Sequence, residues 1–214
     1  MNTDKKDMLL YAVTDRMWSK EKGLKGQIKE ALEGGITFLQ LREKELSYEE
    51  FLKEALEIKD MVKEYNIPFV INDNVDVAIK CDADGVHVGQ SDMKATDVRS
   101  KIGKDKILGV SAHTLEEAIE AEKMGADYLG VGAVFSTSTK LDADDVSFET
   151  LKEICDSVNI PVVAIGGISK DNILKLKGSH VDGVAVVSAI FASKNITEDT
   201  KELLSLSKEM VKGE

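Results

Sequence analysis

The chain has 214 residues, a formal net charge of −11, 43% hydrophobic and 31% charged residues. This composition is typical of a folded globular protein and not of a disordered chain. The acidity argues against nucleic acid as a partner, because such binding depends on Lys and Arg neutralising phosphates. No Pro-, Ser- or Gly-rich linker divides the sequence, so we expect a single domain over residues 1–214.

The sequence also indicates where the protein acts. The first residues are polar, and no apolar run approaches the roughly 20 residues of a membrane helix. Cys81 and Cys155 lie far apart and form no Cys-x-x-Cys pair, so we expect reduced thiols. These features predict a cytoplasmic protein without a membrane partner. A homo-oligomer is compatible with the sequence.

In chain order, short apolar runs alternate with longer helical patterns eight times. The predicted strands cover residues 9–13, 38–41, 68–71, 85–88, 107–110, 128–131, 162–165 and 183–187. The predicted helices cover residues 23–33, 47–65, 75–80, 95–102, 114–124, 148–157, 171–177 and 198–211. Two helix starts, at Ser47 with Glu50 and at Thr114 with Glu117, match the capping-box pattern.

Eight strand-then-helix units predict an α/β fold of the (β/α)8 TIM-barrel class. The strands are continuous apolar runs, which suit parallel strands buried on both faces. A turn containing Gly or Asp precedes every second strand, as a repeated two-strand unit would produce. This repeat favours a closed barrel over an open doubly wound sheet, which is the alternative.

Polar and charged residues collect where the predicted strands end. In a barrel of this kind the chemistry takes place at that rim, which we call the mouth. The candidates there are Gln40, Arg42, Lys44, Asn72, Asp73, Asp92, Ser111 and His113. His87, within the fourth strand, is expected to be structural.

Two segments at the mouth suggest phosphate binding. Gly166-Gly167 follows the seventh strand and Ser188-Ala189 the eighth, so bare backbone N–H groups and a helix start near Ser188 could meet an oxyanion. The long loop over residues 133–147 carries Thr137, Thr139 and Lys140, which could act as a lid over anionic oxygens. The alternatives are a tight glycine turn and an ordinary solvated loop.

Asp73 and Asp92 follow adjacent strands, so their carboxylates could reach one point. Magnesium is typically held by one or two carboxylates together with water and substrate phosphates. With Arg42, Lys44 and Lys140 nearby, the two acids fit a magnesium–diphosphate site, although either Asp alone could be a helix N-cap.

These motifs together resemble the thiamine phosphate synthase family over nearly the whole chain. The matching segments are residues 40–44 (QLREK), 71–73 (IND), 84–92 (DGVHVGQSD), 109–114 (GVSAHT), 137–140 (TSTK), 165–168 (IGGI) and 187–190 (VSAI). Several such segments in one order make a specific signal. Ser136 and Ser138 depart from the family pattern, which bears on the conformation of the lid loop.

The resemblance implies a transferase of thiamine biosynthesis that couples an aminopyrimidine methyl diphosphate to a thiazole phosphate, or its carboxylated form, and releases diphosphate. It implies one Mg²⁺ per subunit, held by Asp73 and Asp92. The implied pyrimidine-diphosphate ligands are Gln40, Arg42, Lys44, Asn72, Ser111 and Lys140, of which Arg42, Lys44, Lys140 and Ser111 are the implied catalytic groups. The implied thiazole-phosphate ligands are Thr137, Ser138, Thr139, Gly167, Val187 and Ser188.

Three other functions stay open at this point. A thiazole tautomerase shares the barrel but would have no task for Asn72, Asp73, Asp92 and Lys44. A sugar-phosphate isomerase would require a general acid/base pair at the mouth. A non-catalytic barrel would bind the phosphorylated ligand without turnover.

Overall fold

The computed structural model describes residues 3–19, 22–90, 95–136 and 145–212. Its strands are β1 (Leu10–Val13), β2 (Phe38–Leu41), β3 (Phe69–Asn72), β4 (Gly85–Val88), β5 (Ile107–Ala112), β6 (Tyr128–Val131), β7 (Val162–Ile165) and β8 (Gly183–Val186). Its α-helices are α1 (Gly23–Gly34), α2 (Tyr48–Lys63), α3 (Val75–Lys80), α4 (Ala95–Ile102), α5 (Leu115–Lys123), α6 (Phe148–Ser157), α7 (Ser188–Phe191) and α8 (Ile196–Val211). Short 3-10 helices cover Lys5–Met8, Arg16–Trp18 and Ile173–Leu176.

The eight strands are parallel and follow one another around a closed barrel. The barrel closes because β1 pairs with β8 as well as with β2, with Tyr11 opposite Ala185 on one side and Phe38 on the other. The predicted (β/α)8 TIM barrel is therefore confirmed.

The hydrophobic core has two layers. The smaller one fills the inside of the barrel with alternate strand residues, among them Tyr11, Phe38, Val70, Tyr128 and Val163. The larger one lies between the barrel and the surrounding helices. Burial of the strands on both faces explains why they are largely apolar along their whole length instead of alternating with polar residues.

The predicted two-strand repeat has a physical basis at the rim opposite the mouth. The residue before each even-numbered strand accepts the backbone N–H of one residue in the preceding strand through its side chain. Its own backbone N–H donates to that residue's carbonyl. These four base clamps are Thr37 on Leu10, Asp84 on Phe69, Asp127 on Leu108 and Asp182 on Val162. They fix the entry of every second strand.

The seventh predicted helix, over residues 171–177, is wrong. The chain there makes only a 3-10 turn over Ile173–Leu176. Asn172 is the cause, because its side chain accepts the Ser169 N–H and donates to the Gly167 carbonyl. Such side-chain bonds to the local backbone compete with helix formation.

The bounds of the other strands and helices agree with the predicted bounds within two residues. β5 is longer than expected, so Ser111 lies within the strand instead of after it. Ser47 and Glu50 form the full capping box. At α5, Thr114 accepts the Glu117 N–H, but the Glu117 carboxylate receives the N–H of His113 and not that of Thr114.

Two further observations concern membrane-spanning helices and the state of the two cysteines. Within residues 3–212, where described, no helix combines the length and apolarity of a membrane span. Cys81 and Cys155 are both free thiols. Burial raises the pKa of both thiols, that of Cys155 to about 12.

Candidate active site

A single cavity of about 310 Å³ at the mouth gathers the predicted site residues that the structure describes. They are Gln40, Arg42, Lys44, Asn72, Asp73, Ser111, Gly167, Val187 and Ser188, and all of them line this cavity. The convergence follows from the parallel barrel, because the carboxyl ends of all strands meet at one rim. Asp92, Thr137, Ser138, Thr139 and Lys140 lie outside the described residues.

The cationic side of the cavity begins at β2. Two hydrogen bonds tie this strand end to the end of β1: the Arg42 N–H donates to the Thr14 side-chain hydroxyl at 2.9 Å, and the Thr14 N–H donates to the Gln40 carbonyl at 3.0 Å. The Arg42 guanidinium lies 3.5 Å from the carboxylate of Asp15. Lys44 adds a second cation to the same wall.

Glu43 lies between these two cations in sequence but is bound elsewhere. Its carboxylate receives two hydrogen bonds from Arg16, at 2.8 and 3.1 Å, and Arg16 also contacts Glu54 of α2. The Glu43 side chain is only 2% exposed, and burial raises the pKa of its carboxyl although Arg16 opposes the shift. Arg16 therefore holds the negative charge within this motif away from the cations.

The end of β3 carries the polar side chains of Asn72 and Asp73, both of which line the cavity. Asp73 adopts a left-handed backbone conformation with φ +59°, and its N–H donates to the His87 carbonyl at 2.8 Å. The Asn72 amide donates to the Asp73 carboxylate at 2.5 Å. Among the described residues, no three His, Cys, Asp or Glu side chains are grouped to hold a metal. A single carboxylate with an amide oxygen suits Mg²⁺, which keeps waters and takes phosphate oxygens, far better than it suits zinc.

Glycines shape the opposite wall. Gly166 and Gly167 both have positive φ, +100° and +63°. The segment after β6 packs directly on them, with the Val134 N–H on the Ile165 carbonyl at 3.0 Å and the Phe135 N–H on Gly166 at 3.1 Å. A Cβ on Gly167 would lie 2.6 Å from the Phe135 carbonyl oxygen. Beside this turn α7 begins at Ser188, and the first N–H groups of a helix have no partner within it.

The floor of the cavity is a buried hydrogen-bonded network. It runs from the Gln40 amide to Tyr11 (2.5 Å), on to Tyr128 (2.7 Å), to His87 Nδ1 (2.9 Å), and from His87 Nε2 to Ser111 Oγ (3.0 Å). Burial raises the pKa of both tyrosines well above the usual value, so both keep their protons.

Tyr11 and Tyr128 were not predicted from the sequence, and His87 was predicted to have a structural role only. The signal was present, because each of the three is a polar-tipped ring in an otherwise aliphatic strand. His113, which was expected at the mouth, lines the cavity, and its Nδ1 lies 3.2 Å from the Glu117 carboxylate.

A closed parallel barrel whose strand ends place two cations, a carboxylate and a glycine turn around one cavity defines the class: a TIM-barrel enzyme acting on anionic substrates. Comparison with known proteins narrows this class. The family described as thiamine monophosphate synthase matches residues 10–190, and the chain belongs to that family.

Individual relatives agree with this assignment. A thiamine-phosphate synthase of Clostridium tetani is 51% identical over 203 residues, covering 95% of this chain and 97% of that protein. One of Methanobrevibacter smithii is 50% identical over 198 residues, covering 92% and 94%. The solved structure of thiamine phosphate pyrophosphorylase from Pyrococcus furiosus superposes with a TM-score of 0.89 at 41% identity, covering 97% of this chain and 98% of that one.

Proposed function

We propose that the protein has thiamine-phosphate synthase activity: it joins an aminopyrimidine methyl diphosphate to a thiazole phosphate and releases diphosphate. The observation that carries the proposal is the single cavity lined by every described residue that the family resemblance assigns to the two substrates. Relatives of about 50% identity over more than nine-tenths of their length support it.

The cationic wall accounts for departure of the leaving group. As the bond between the methylene carbon and the diphosphate oxygen breaks, negative charge grows on the diphosphate. Arg42 and Lys44 line the cavity where that charge would develop, and such preorganised charge is usually the largest catalytic contribution. Lys140 would add a third cation from the lid loop.

Asp73 and Asp92 are the proposed magnesium ligands, and the Asn72 side chain lies beside that of Asp73. The carboxylate and amide oxygens that β3 presents match the oxygen preference of this ion. When bound, Mg²⁺ would supply neutralising charge to the diphosphate.

The thiazole phosphate would lie against the glycine wall. There the backbone at Gly167, Val187 and Ser188 would bind its phosphate, and Thr137, Ser138 and Thr139 would contact it from the lid loop. The thiazole ring nitrogen attacks with its own lone pair, so the residues' task is to hold the two substrates in line. Gln40 and Ser111 would orient the pyrimidine from the floor.

An assay with both phosphorylated precursors tests the proposal. We expect equal amounts of thiamine phosphate and diphosphate, formed only with Mg²⁺, and a much lower rate for Lys44→Gln than for Lys53→Gln, a control on the exposed side of α2. Absence of product from both precursors with Mg²⁺ would contradict it. Rearrangement of the thiazole precursor alone would instead indicate a tautomerase. A homo-oligomer and a cytoplasmic location stay predictions.

A further inference from the structure

The hydrogen bonds on the cavity floor can be assigned a donor and an acceptor one after another, starting from Gln40. The Gln40 amide nitrogen lies 2.5 Å from the Tyr11 oxygen, and an amide nitrogen can only donate. Tyr11 therefore accepts from Gln40 and has one hydrogen left. Because Tyr11 is buried, with 1% exposure, that hydrogen must find a partner inside the protein, and Tyr128 is 2.7 Å away.

The hydrogen bonds continue across the barrel from Tyr128 to Ser111. Tyr128 accepts from Tyr11, so its own hydrogen goes to His87 Nδ1 at 2.9 Å. A neutral imidazole that accepts at Nδ1 carries its hydrogen on Nε2. His87 Nε2 then donates to the Ser111 hydroxyl oxygen at 3.0 Å, and the hydrogen of Ser111 is left to point into the cavity.

The surrounding residues pack closely against the rings of Tyr11, Tyr128 and His87 and hold them in place. Gly109 of β5 has no room for a side chain, because a Cβ there would overlap the Tyr128 ring and His87 Nδ1. The Phe38 ring lies 4.4 Å from that of Tyr11 and 5.5 Å from that of Tyr128, measured between centroids. Tyr11 and Tyr128 are almost completely buried, with 1% and 0% exposure, and a buried environment strengthens the hydrogen bond between them.

We propose that Tyr11, Tyr128 and His87 are positioning residues that set the hydrogen-bond polarity of the substrate site. Through them, Ser111 presents a donor to the cavity and Gln40 presents its amide oxygen as an acceptor. An aminopyrimidine carries both complementary groups, an amine that donates and ring nitrogens that accept. The inference rests on the proposed function for the identity of the ligand, but not for the direction of the bonds.

The direction can be measured without substrate. Nitrogen NMR of the labelled protein in mildly alkaline buffer distinguishes the two neutral tautomers of His87, assigned by comparison with His87→Gln. We expect the hydrogen on Nε2 in the wild type and a mixed or reversed tautomer in Tyr128→Phe. Phe38→Leu is the matched control, since it disturbs the packing of the same rings without removing a polar atom, and should keep the wild-type tautomer. A hydrogen on Nδ1 in the wild type would overturn the proposal.

Steady-state kinetics test the consequence for the reaction. Tyr128→Phe and Ser111→Ala should each lower kcat/KM by about tenfold, the usual effect of one buried hydrogen bond. The double variant should be little worse than either, because both remove the same oriented donor. His87→Gln, whose amide nitrogen can still reach Ser111, should retain more activity than His87→Leu.

Each outcome has one meaning. Losses that multiply in the double variant would show that Tyr128 does not act through Ser111. A wild type that forms no thiamine phosphate but shows the Nε2 tautomer would contradict the proposed function and leave the network's direction standing.

Discussion

Asp73 combines two properties that can be separated by substitution. Its φ of +59° is tolerated by Asn as well as Asp, so Asp73→Asn removes the charge and keeps the backbone. We expect kcat/KM at limiting Mg²⁺ to fall about tenfold or more, with partial recovery at high Mg²⁺, because a proposed ligand carboxylate is lost. Thermal unfolding should be nearly unchanged.

Asp82→Asn is the control for this substitution. Asp82 also has positive φ, +52°, but its side chain is 74% exposed and pairs with Lys59 and Lys106 away from the mouth. Its loss should cost less than about 1 kcal/mol of stability, as exposed ion pairs do, and leave the magnesium dependence intact. Equal activity of Asp73→Asn and Asp82→Asn would remove Asp73 from the metal site.

Gly167 is predicted to be needed for the thiazole-phosphate wall. In Gly167→Ala the new Cβ would overlap the carbonyls of Phe135 and Ser136, which would push the segment leading into the lid loop outward. We expect KM for the thiazole phosphate to rise, together with a stability loss of about 1–3 kcal/mol from strain and overlap. Substrate-dependence kinetics and thermal unfolding measure the two effects.

Gly178→Ala is the control that measures how much stability is lost through the positive φ alone. Gly178 has φ +81° with nothing within 4 Å of the added Cβ, so it should lose stability without a change in KM. A normal KM in Gly167→Ala would show that close approach at this turn does not matter for binding.

Much of the site could be predicted from residue types, because a parallel barrel brings every strand end to one rim. The pattern Gln40, Arg42 and Lys44 alternates along the chain, and all three line the cavity. The floor could not be predicted in this way. Which side chain reaches Ser111 depends on ring positions across the barrel, and those depend on the room left at Gly109 and Gly130, not on any local pattern.

At the scale of elements, Arg99 in the last turn of α4 ties this helix to the loops that precede β5 and β6. Arg99 of α4 donates to the carbonyls of Gly103, Lys106 and Gly125 and to the carboxylate of Asp127. It thus supports one of the base clamps, far from the mouth. The scarce arginines divide accordingly: Arg42 lines the cavity, Arg16 holds Glu43, and Arg99 is structural.

Arg99→Met should therefore lower the free energy of unfolding by about 1–3 kcal/mol, because several carbonyls and Asp127 lose a charged donor. Arg99→Lys, which keeps the charge but cannot reach every carbonyl, should fall between. The kinetic constants of the folded enzyme should not change. A shift in KM for either substrate would indicate that this end of the barrel is coupled to the mouth.

The elements that were predicted well are those with strong periodicity. The wrong prediction, a helix over residues 171–177, has a local cause. Nothing in the apolar spacing of residues 171–177 shows that the Asn172 side chain bonds to Ser169 and Gly167. The extension of β5 to Ala112 arises from pairing with β6. Both depend on partners distant in sequence or on side-chain geometry.

At the scale of the whole molecule, the barrel depends on contact between its first and last long helices. Gly34 of α1 lies so close to α8 that an added Cβ would be 2.5 Å from the Thr200 Cβ and 2.8 Å from the Thr197 carbonyl oxygen. Gly34→Ala should destabilise the protein by about 1–3 kcal/mol through overpacking, which lowers Tm by roughly 2–4 °C per kcal/mol in a chain of this size.

A second glycine of the same helix provides the contrast. Gly26 meets only the Lys22 Cβ, at 3.3 Å, so Gly26→Ala should raise stability by about 0.5–1 kcal/mol through helix propensity. Calorimetry on both variants compares the signs. Similar effects at the two positions would mean that the α1–α8 contact does not limit barrel closure.

The base clamps also bear on how the chain can be divided. Two clamps lie wholly before Gly103, at Thr37 and Asp84, and two wholly after it, at Asp127 and Asp182. Gly103 lies between α4 and β5 with open space around it. Cleavage there would leave two four-stranded fragments, each with both partners of its own two clamps and with its outer strands unpaired, while Arg99 and Asp127 would lie on different fragments. In the intact barrel these edges pair with each other, β1 with β8 and β4 with β5, so we expect the separately produced fragments to complement one another and rebuild the barrel.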